Sequence, residues 1–373
     1  MSEYQYYEFQ AIDRALTQSE QDAVAGLSSR AEVGPFQAVF TYSYGDFRGN
    51  PEKVLAKYFD ALLYLANWGS RWLYFRFPKQ LITKESLAPY CVADLISIRE
   101  SDDFVILAIT IDEEGGDWIE GDGELSPLVP IRQQILDGDY RALYLAWLKA
   151  SEFSYPEDTA GPTEPPVPAG LADLSPPLEA LVAFFDINPD LLTVAAQASP
   201  AAPSEVDLEP LLPRLPVAEQ TELLRQLLRG DPGVTTQLKR RLKEIGTRSP
   251  AAVPKNPPPR PRQLSDLLAK SEQMGSNRTA SEQQAAEAAR LAKLDALAER
   301  EASVWELAAG LIAQKKIKAY DEAVTHLKEL QELAQHRHDL AGFTARIQTI
   351  RQQYPSLSGL RYRLKQAGLL PYD

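Results

Sequence analysis

The sequence predicts an α+β N-terminal domain, a mixed sheet packed by helices, followed by proline-rich linkers and an all-α C-terminal region. Three observations carry this expectation. Between residues 4 and 112, runs of alternating apolar residues or of aromatic and β-branched residues recur, as strands require. The 28 prolines cluster most densely in two stretches, YPEDTAGPTEPPVPAG and TRSPAAVPKNPPPRPR, which read as extended linkers. From Ser281 onward the apolar residues follow helical spacing.

The densest apolar stretch runs from Pro51 to Pro78, and the N-terminal domain is expected to be built on it. Asn50 can cap a helix, and Pro51 suits the first helical position, where a missing N–H costs nothing. Lys53, Lys57, Asp60, Tyr64 and Asn67 fall at helical spacing as one thin polar stripe. Around it lie Val54, Leu55, Tyr58, Phe59, Leu62, Leu63 and Leu65. This predicts a single buried helix closed by Gly69. Arg71 to Phe77 is then rich in strand formers, and Pro78 stops the ladder.

On the N-terminal side, Tyr4 to Ala11 reads as a first strand. Thr17 and Glu20 form a capping box that opens a helix to about Ser28. Pro35 to Tyr44 alternates, with Phe36, Ala38, Phe40, Tyr42 and Tyr44 on the buried face. On the C-terminal side, Lys84 to Val92 suggests a short helical piece. Asp94 to Arg99 and Asp103 to Asp112 suggest a hairpin, its second strand apolar on both faces and so interior to the sheet. Helices are expected over Leu128 to Leu136 and Tyr140 to Ser151, split at Gly138.

The organisation that follows is an α+β head over 1–153, an acidic proline-rich linker over 154–177, a small helical region over 178–246, a basic proline-rich linker over 247–263 and a helical tail over 264–373. The helical region holds an island over Leu178 to Ser199 and a pair over Val217 to Arg229 and Gly233 to Gly246. In the tail, Ser281 to about Gly310 reads as one long Ala-rich helix. Tyr320, Val324, Leu327, Leu330 and Ala334 line the next helix, and Leu340, Phe343, Ile347 and Ile350 the one after. A last helix runs from Leu357 to Gln366 and ends at Gly368. Tyr320 and Tyr354 stand at the tetratricopeptide period, but no second copy of such a unit is present.

Composition sets further bounds. A hydrophobic content of 44% and a charged content of 24% are ordinary globular values. The one cysteine, Cys91, excludes an intramolecular disulfide and a Cys-based zinc site, and reads as a small core residue. The N-terminus lacks a secretory pattern, and no apolar run is long enough to span a bilayer, so a cytoplasmic protein without membrane contact is expected. The net charge of −13 is uneven. Residues 1–160 hold 13 Lys+Arg against 26 Asp+Glu, residues 161–235 hold 3 against 11, and residues 236–373 hold 23 against 15. Acidic and basic parts either attract each other or leave the basic part for an anion such as nucleic acid.

Candidate chemistry is sparse. The loop Tyr44, Asp46, Phe47 and Arg48, beside Gly45 and Gly49, follows a strand as functional loops do. With Trp68 and Arg71 it forms the set of interaction candidates. A structural loop with Asp bonded to backbone is the plainer reading. Asp112 to Asp117 is acidic like a metal loop but lacks the register of an EF-hand. His326, His336 and His338 are the only histidines, and no metal site or cofactor is expected from them. The head contains no histidine, the commonest general base. Lys239, Arg240, Arg241, Lys243, Lys315, Lys316 and Lys318 are the candidates for phosphate contact, but no aromatics are interleaved with them.

The blocks YYEFQAIDRALT and NPEKVLAKYFDALLYLANWGSR resemble an uncharacterised bacterial protein family. IRQQILDGDYRALYLAWL, LPVAEQTELLRQLLRGDPGVTTQLKRRL, and YDEAVTHLKEL with LSGLRYRLKQAGLL are similar to segments of bacterial proteins that carry, or are encoded near, SWIM-type zinc fingers. The resemblance implies a cytoplasmic bacterial accessory protein that works with a partner. The zinc ligands of that finger, three Cys and one His, cannot exist here, so zinc binding is not implied.

The expected function is therefore a non-catalytic interaction or scaffold protein with a protein partner, acting through its head and tail. The first alternative is nucleic-acid binding by the basic helices. The second is an enzyme with a site near Asp46 and Arg48.

Overall fold

Why the stretch from Pro51 to Pro78 folds as it does decides the architecture. In the computed structural model, which describes residues 4–112, 123–154, 161–202, 207–230, 233–247 and 261–370, helix α2 covers only Pro51–Tyr58. Asn50 caps it, its side-chain oxygen accepting the Lys53 N–H at 2.9 Å. Phe59 then turns extended, and Ala61–Ala66 is strand β4, not the second half of a helix. β4 is buried on both faces along its whole length. A strand covered on both sides loses its polar alternation, so ALLYLA cannot be told from a buried helix by spacing. Asn67 and Trp68 make the turn with Gly69, whose φ of 110° is the left-handed region that favours glycine.

Among the described residues, seven strands form one sheet with every pairing antiparallel. In spatial order they are β2 (Ala31–Val33), β3 (Gln37–Tyr42), β1 (Gln5–Gln10), β4, β5 (Ser70–Pro78), β7 (Phe104–Asp112) and β6 (Ile96–Glu100). β4 and β5 thus occupy the middle, and β7 is interior as its two-sided apolar pattern requires. β2 has three residues, too few to show a period. In β3, Ala38, Phe40 and Tyr42 are buried, whereas Phe36 and Tyr44 fall outside the strand and are exposed.

Each face carries its own core. On one, Tyr7, Phe9, Phe40, Leu62 and Tyr64 pack with Val24 of α1 (Gln18–Ala25), Val54 and Leu55 of α2, and Phe47. The Thr17–Glu20 capping box opens α1. On the other face, Leu63, Leu73, Phe75, Leu107 and Ile109 meet a helical layer. That layer includes α3 (Lys84–Leu87), α4 (Pro130–Leu136) and α5 (Arg141–Ser154), then α6 (Pro176–Phe185) and α7 (Pro189–Ala196). Leu171, Leu178, Phe185, Leu191, Leu264 and Leu267 belong to this same core. The helical island is therefore part of the sheet domain. The described part of the first proline-rich stretch is packed chain: Tyr90 Oη donates to the Pro166 carbonyl at 2.9 Å, and Leu171 is buried. Most of the second stretch, 248–260, lies outside the described residues. Cys91 is exposed, not a core residue, because its neighbours Tyr90 and Val92 are the side chains turned inward.

The chain divides into two compact units, Met1–Gly275 and Ser276–Asp373. In the first, α8 (Val217–Arg229) and α9 (Val234–Thr247) follow a 3-10 turn over Glu209–Arg214. The long helix α10 (Leu264–Glu299) runs across the division. The expected single helix to Gly310 breaks at Arg300, which leaves helical geometry and starts α11 (Glu301–Ala313). The second unit continues with α12 (Ile317–His336), α13 (Leu340–Gln353) and α14 (Ser358–Gln366). Its core includes Tyr320, Leu327, Leu330, Phe343, Ile347 and Ile350, as the spacing predicts, while Leu340 is exposed. Tyr320 lies in the first turn of α12 and Tyr354 caps the end of α13, so they are not equivalent positions of a repeat.

One polar cluster locks the sheet to the helical layer. Asp60 sits between α2 and β4 with its side chain almost wholly buried. Its Oδ2 accepts the N–H groups of Ile12 and Asp13 at 2.6 and 2.9 Å. Its Oδ1 accepts Arg76 Nη2 at 2.7 Å. Arg132 of α4, also buried, lies 3.8 Å from the same oxygen and forms a two-pronged pair with Asp13 at 2.9 and 2.7 Å. Burial opposes charge on Asp60, but Arg132, Arg76 and the Asp13 N–H outweigh it and hold the carboxyl below its ordinary value. A group depressed in the folded state stabilises the fold above its ordinary value, and loses that contribution as pH falls through the folded one.

Asp60→Asn leaves the Arg76 guanidinium without its anion and Arg132 with Asp13 alone, and should cost about 3 kcal/mol at neutral pH. Denaturant unfolding should further show the wild type losing stability below about pH 4, with the gap to the variant narrowing there. Equal stability at neutral pH would refute this role.

Candidate functional site

The register of the sheet brings several of the expected residues to one end. Gln5 pairs with Tyr42 on one side and Ala66 on the other, so the loop after β3 and the turn after β4 flank the start of β1. They do not converge on one site. Arg71 shares a sheet face with Leu73 and Phe75, whereas Asp46 bonds Gln5 on the face of Tyr7 and Phe9. Trp68 is partly exposed and donates to Ser70 Oγ at 3.0 Å. Tyr44 is 70% exposed, and Arg48 is exposed as well.

Phe47 is buried and works as a plug. Its ring lies 4.9 Å from Phe40 and 5.2 Å from Tyr7, centre to centre. Gly49 is needed beneath it, because a Cβ there would come within 2.8 Å of the Phe47 ring. Gln5 organises the rest. Its Oε1 accepts the hydroxyls of Tyr7 and Tyr64 at 3.1 and 3.3 Å, and its Nε2 donates to Asp46 Oδ1 at 2.7 Å. Burial pushes Tyr7 up to about 12 and raises Tyr64 too, so both stay protonated donors near neutral pH. The arrangement ties the loop to the start of β1.

A cavity of about 550 Å³ opens on the other face of β1, lined by Tyr6, Glu8, Gln37, Gly123, Glu124, Ser126 and Pro127. Glu8 is its buried floor, and both oxygens are committed. Oε1 accepts Gln10 and Gln37 amides at 3.0 and 2.7 Å, while Oε2 accepts Tyr6 Oη at 3.0 Å and the Leu125 N–H at 2.8 Å. A third buried carboxylate, Glu164, takes Arg262 in two-pronged fashion at 2.8 and 2.7 Å and accepts the Tyr144 hydroxyl. Arg262 also donates to the carbonyls of Val194 and Ala195 at 2.9 and 3.2 Å, tying an extended segment to α7.

The basic candidates separate by unit. In the first, all four residues on α9 have partners within the fold. Lys239 pairs with Asp137 at 3.3 Å, and Lys243 donates to the Asp137 carbonyl at 3.2 Å. Arg240 donates to the Leu81 and Leu136 carbonyls at 2.7 and 3.3 Å. Arg241 grips Glu219 of α8 at 2.8 and 3.0 Å. These contacts anchor α9 to the rest of the first unit. Lys315, Lys316 and Lys318 lie exposed around the turn between α11 and α12 in the second unit. Asp112 ends β7, and the rest of the acidic loop lies outside the described residues. Among the described residues, no group of three His, Cys, Asp or Glu is placed to hold a metal ion. No described helix is long and apolar enough to cross a membrane.

The feature that sequence reasoning missed is the outer face of α8. None of its residues is buried. Val217, Leu224, Leu227 and Leu228 are 77, 60, 62 and 89% exposed. Scattered exposed apolar residues need no explanation, but four on one side of a 13-residue helix do. The amphipathic pattern VAEQTELLRQLLR was visible in the sequence. Which side faces the fold was not, because Glu219, not a leucine, is what Arg241 holds. Comparison with protein-family models, with curated proteins and with solved structures finds no match.

Replacing Phe47 with Ala should destabilise the first unit by about 3–5 kcal/mol. Replacing exposed Tyr44 with Ala should leave the unfolding midpoint unchanged. The reverse ranking in thermal unfolding would show that the loop is not held by its plug.

Proposed function

We propose that this chain is a non-catalytic interaction protein that docks another polypeptide on the outer face of α8. The observation that carries the reading is the row of Val217, Leu224, Leu227 and Leu228, held out to solvent on a helix whose inner side is tied down by Arg241. Amphipathic helix faces of this kind are a recurrent protein-recognition element. The buried carboxylates Asp60, Glu8 and Glu164 support the same reading, since each is saturated by donors from the fold. The resemblance to bacterial accessory proteins points the same way, and a cytoplasmic setting goes with it.

The nucleic-acid alternative retains Lys315, Lys316 and Lys318, and salt-sensitive binding of the full chain to DNA or RNA would support it. The enzyme alternative keeps Asp46 and Arg48 at the surface, with Asp46 Oδ1 bonded to Gln5.

Leu224 and Leu228 have no packing role, so the double change Leu224→Glu, Leu228→Glu should leave the unfolding midpoint unaltered. Affinity purification of both forms from the native host should recover a stoichiometric protein with the wild type that the variant loses. Identical recovery with both forms would sink the docking role of α8.

A further inference from the structure

We infer that the second unit binds single-stranded nucleic acid where the turn between α11 and α12 meets α14, with phosphates on Lys315, Lys316 and Lys318 and a base stacked on Tyr362. This goes beyond the docking of a polypeptide on α8 and shares no residue with it. It gives the nucleic-acid alternative a site.

The fold of the unit sorts its charges. The rings of Trp305 and Phe343 lie 5.6 Å apart, and Glu301 takes Arg337 and Arg346 at 3.1 and 3.2 Å. α11 and α13 therefore start at the end of the bundle where α12 stops. The opposite end collects the last turns of α11 and α13 and the first turn of α12. α14 joins it there: a Cβ on Gly359 would touch the Tyr320 ring at 3.8 Å, and Arg363 pairs with Asp321. The chain that builds this end is poor in acid. No Asp or Glu stands between Glu306 and Asp321, and none between Asp339 and Asp373.

Lys315, Lys316 and Lys318 are exposed at this end, and among the described residues none of the three is in an ion pair. The acids that follow them are Asp321, neutralised by Arg363, and Glu322. Only Lys315, just past the C-terminal end of α11, suits its helix. Lys316 is the N-cap residue of α12 and Lys318 lies in its first turn, where the positive end of the helix dipole disfavours cations. No acid offsets them in that turn, and no side chain caps it. Folding thus gains nothing from these two lysines, nor from Ile317 between them, which is 67% exposed.

Tyr362 supplies the aromatic group that the lysine run lacks in sequence. It stands on the side of α14 opposite the buried Leu360 and Leu364 and is 64% exposed. Its neighbour Arg363 reaches Asp321, which sits one turn from Lys318 on α12. Cations and an exposed ring therefore share one surface. An acidic peptide would use the charges and leave the ring idle. A single strand uses both, since it offers phosphates and unpaired bases together, and stacking on an aromatic ring tolerates any base.

The test is fluorescence anisotropy of a labelled oligothymidylate titrated with the full chain at several salt concentrations. Three phosphate contacts on a single strand predict that the logarithm of the affinity falls with the logarithm of salt at a slope of about −2. Lys315→Gln, Lys316→Gln, Lys318→Gln together should bring that slope near zero. Tyr362→Ala should weaken binding about fivefold or more without changing the slope, and Tyr362→Trp should restore it. A duplex should bind more weakly than the single strand. Circular dichroism checks that each variant keeps its helix content and unfolding midpoint. Absence of binding at low salt overturns the inference. So does binding that Tyr362→Ala leaves intact, or that polyglutamate displaces as well as unlabelled oligothymidylate does. The Leu224→Glu, Leu228→Glu variant should bind the strand as the wild type does, so failure of this site and failure of the α8 docking role are read separately.

Discussion

Covering both faces of the sheet makes each polar group trapped there costly unless the fold supplies it with partners. A buried carboxylate is costly unless donors surround it, and three of them sit within or against this sheet. Asp60 is met by two backbone N–H groups and two guanidiniums, Glu8 by two amides, a phenol and a backbone N–H, and Glu164 by Arg262 and Tyr144. Their partners come from strands, helices and extended segments far apart in the chain. Each carboxylate therefore acts as a fastening point between layers. That is why segments rich in proline can be integral here: Glu164, inside the first proline-rich stretch, pairs with Arg262 at the end of the second, and Thr163 bridges to Gln263.

The same constraint explains what could be read in advance. Elements with one wet face or a chemical cap were legible: the Thr17–Glu20 capping box, the Asn50 cap, the β6–β7 hairpin and the stripe of Tyr320, Leu327 and Leu330. Of the elements wet on neither face, β7 was legible through its β-branched Val105, Ile106, Ile109 and Ile111, and β4 was not. ALLYLA has the composition of a buried helix, and only the neighbours β1 and β5 make it a strand. The proline-rich stretch before α6 looked like a linker, because Leu171 and Glu164 have sequence neighbours typical of linkers. Their burial depends on Tyr90, Tyr144 and Arg262, which no local window contains.

Part of the charge imbalance resolves in the same way. The basic run on α9 follows an acidic stretch of chain, and the two meet within the first unit. Lys239 and Lys243 close on Asp137 at the C-terminal end of α4, where a helix dipole favours cations, and Arg240 caps carbonyls of the same region. Spacing alone cannot separate anchors from phosphate ligands, because either role puts the same cations on a helix surface. What separates them is the partner. Here the partners of all four α9 residues lie within the fold, whereas the turn bearing Lys315, Lys316 and Lys318 leaves its cations in water.

α9 also shows what is unusual about α8. The two helices are neighbours of similar length, and both are amphipathic. α9 buries Val234 and Leu242, as an amphipathic helix in a stable fold should. α8 departs from the rule: it turns Glu219 and half-buried Leu223 inward and leaves Leu224, Leu227 and Leu228 in solvent. Held by an exposed ion pair, α8 gains little from the fold it is attached to. Burying its three exposed leucines would yield far more, at about 25 cal/mol per Å² of apolar area removed from water. Covering these leucines would thus contribute more to an association than they contribute to the first unit, which is the physical basis of the docking proposal. A helix arranged in this way contributes least to the fold and most to whatever binds it, which is the physical content of calling it a docking element.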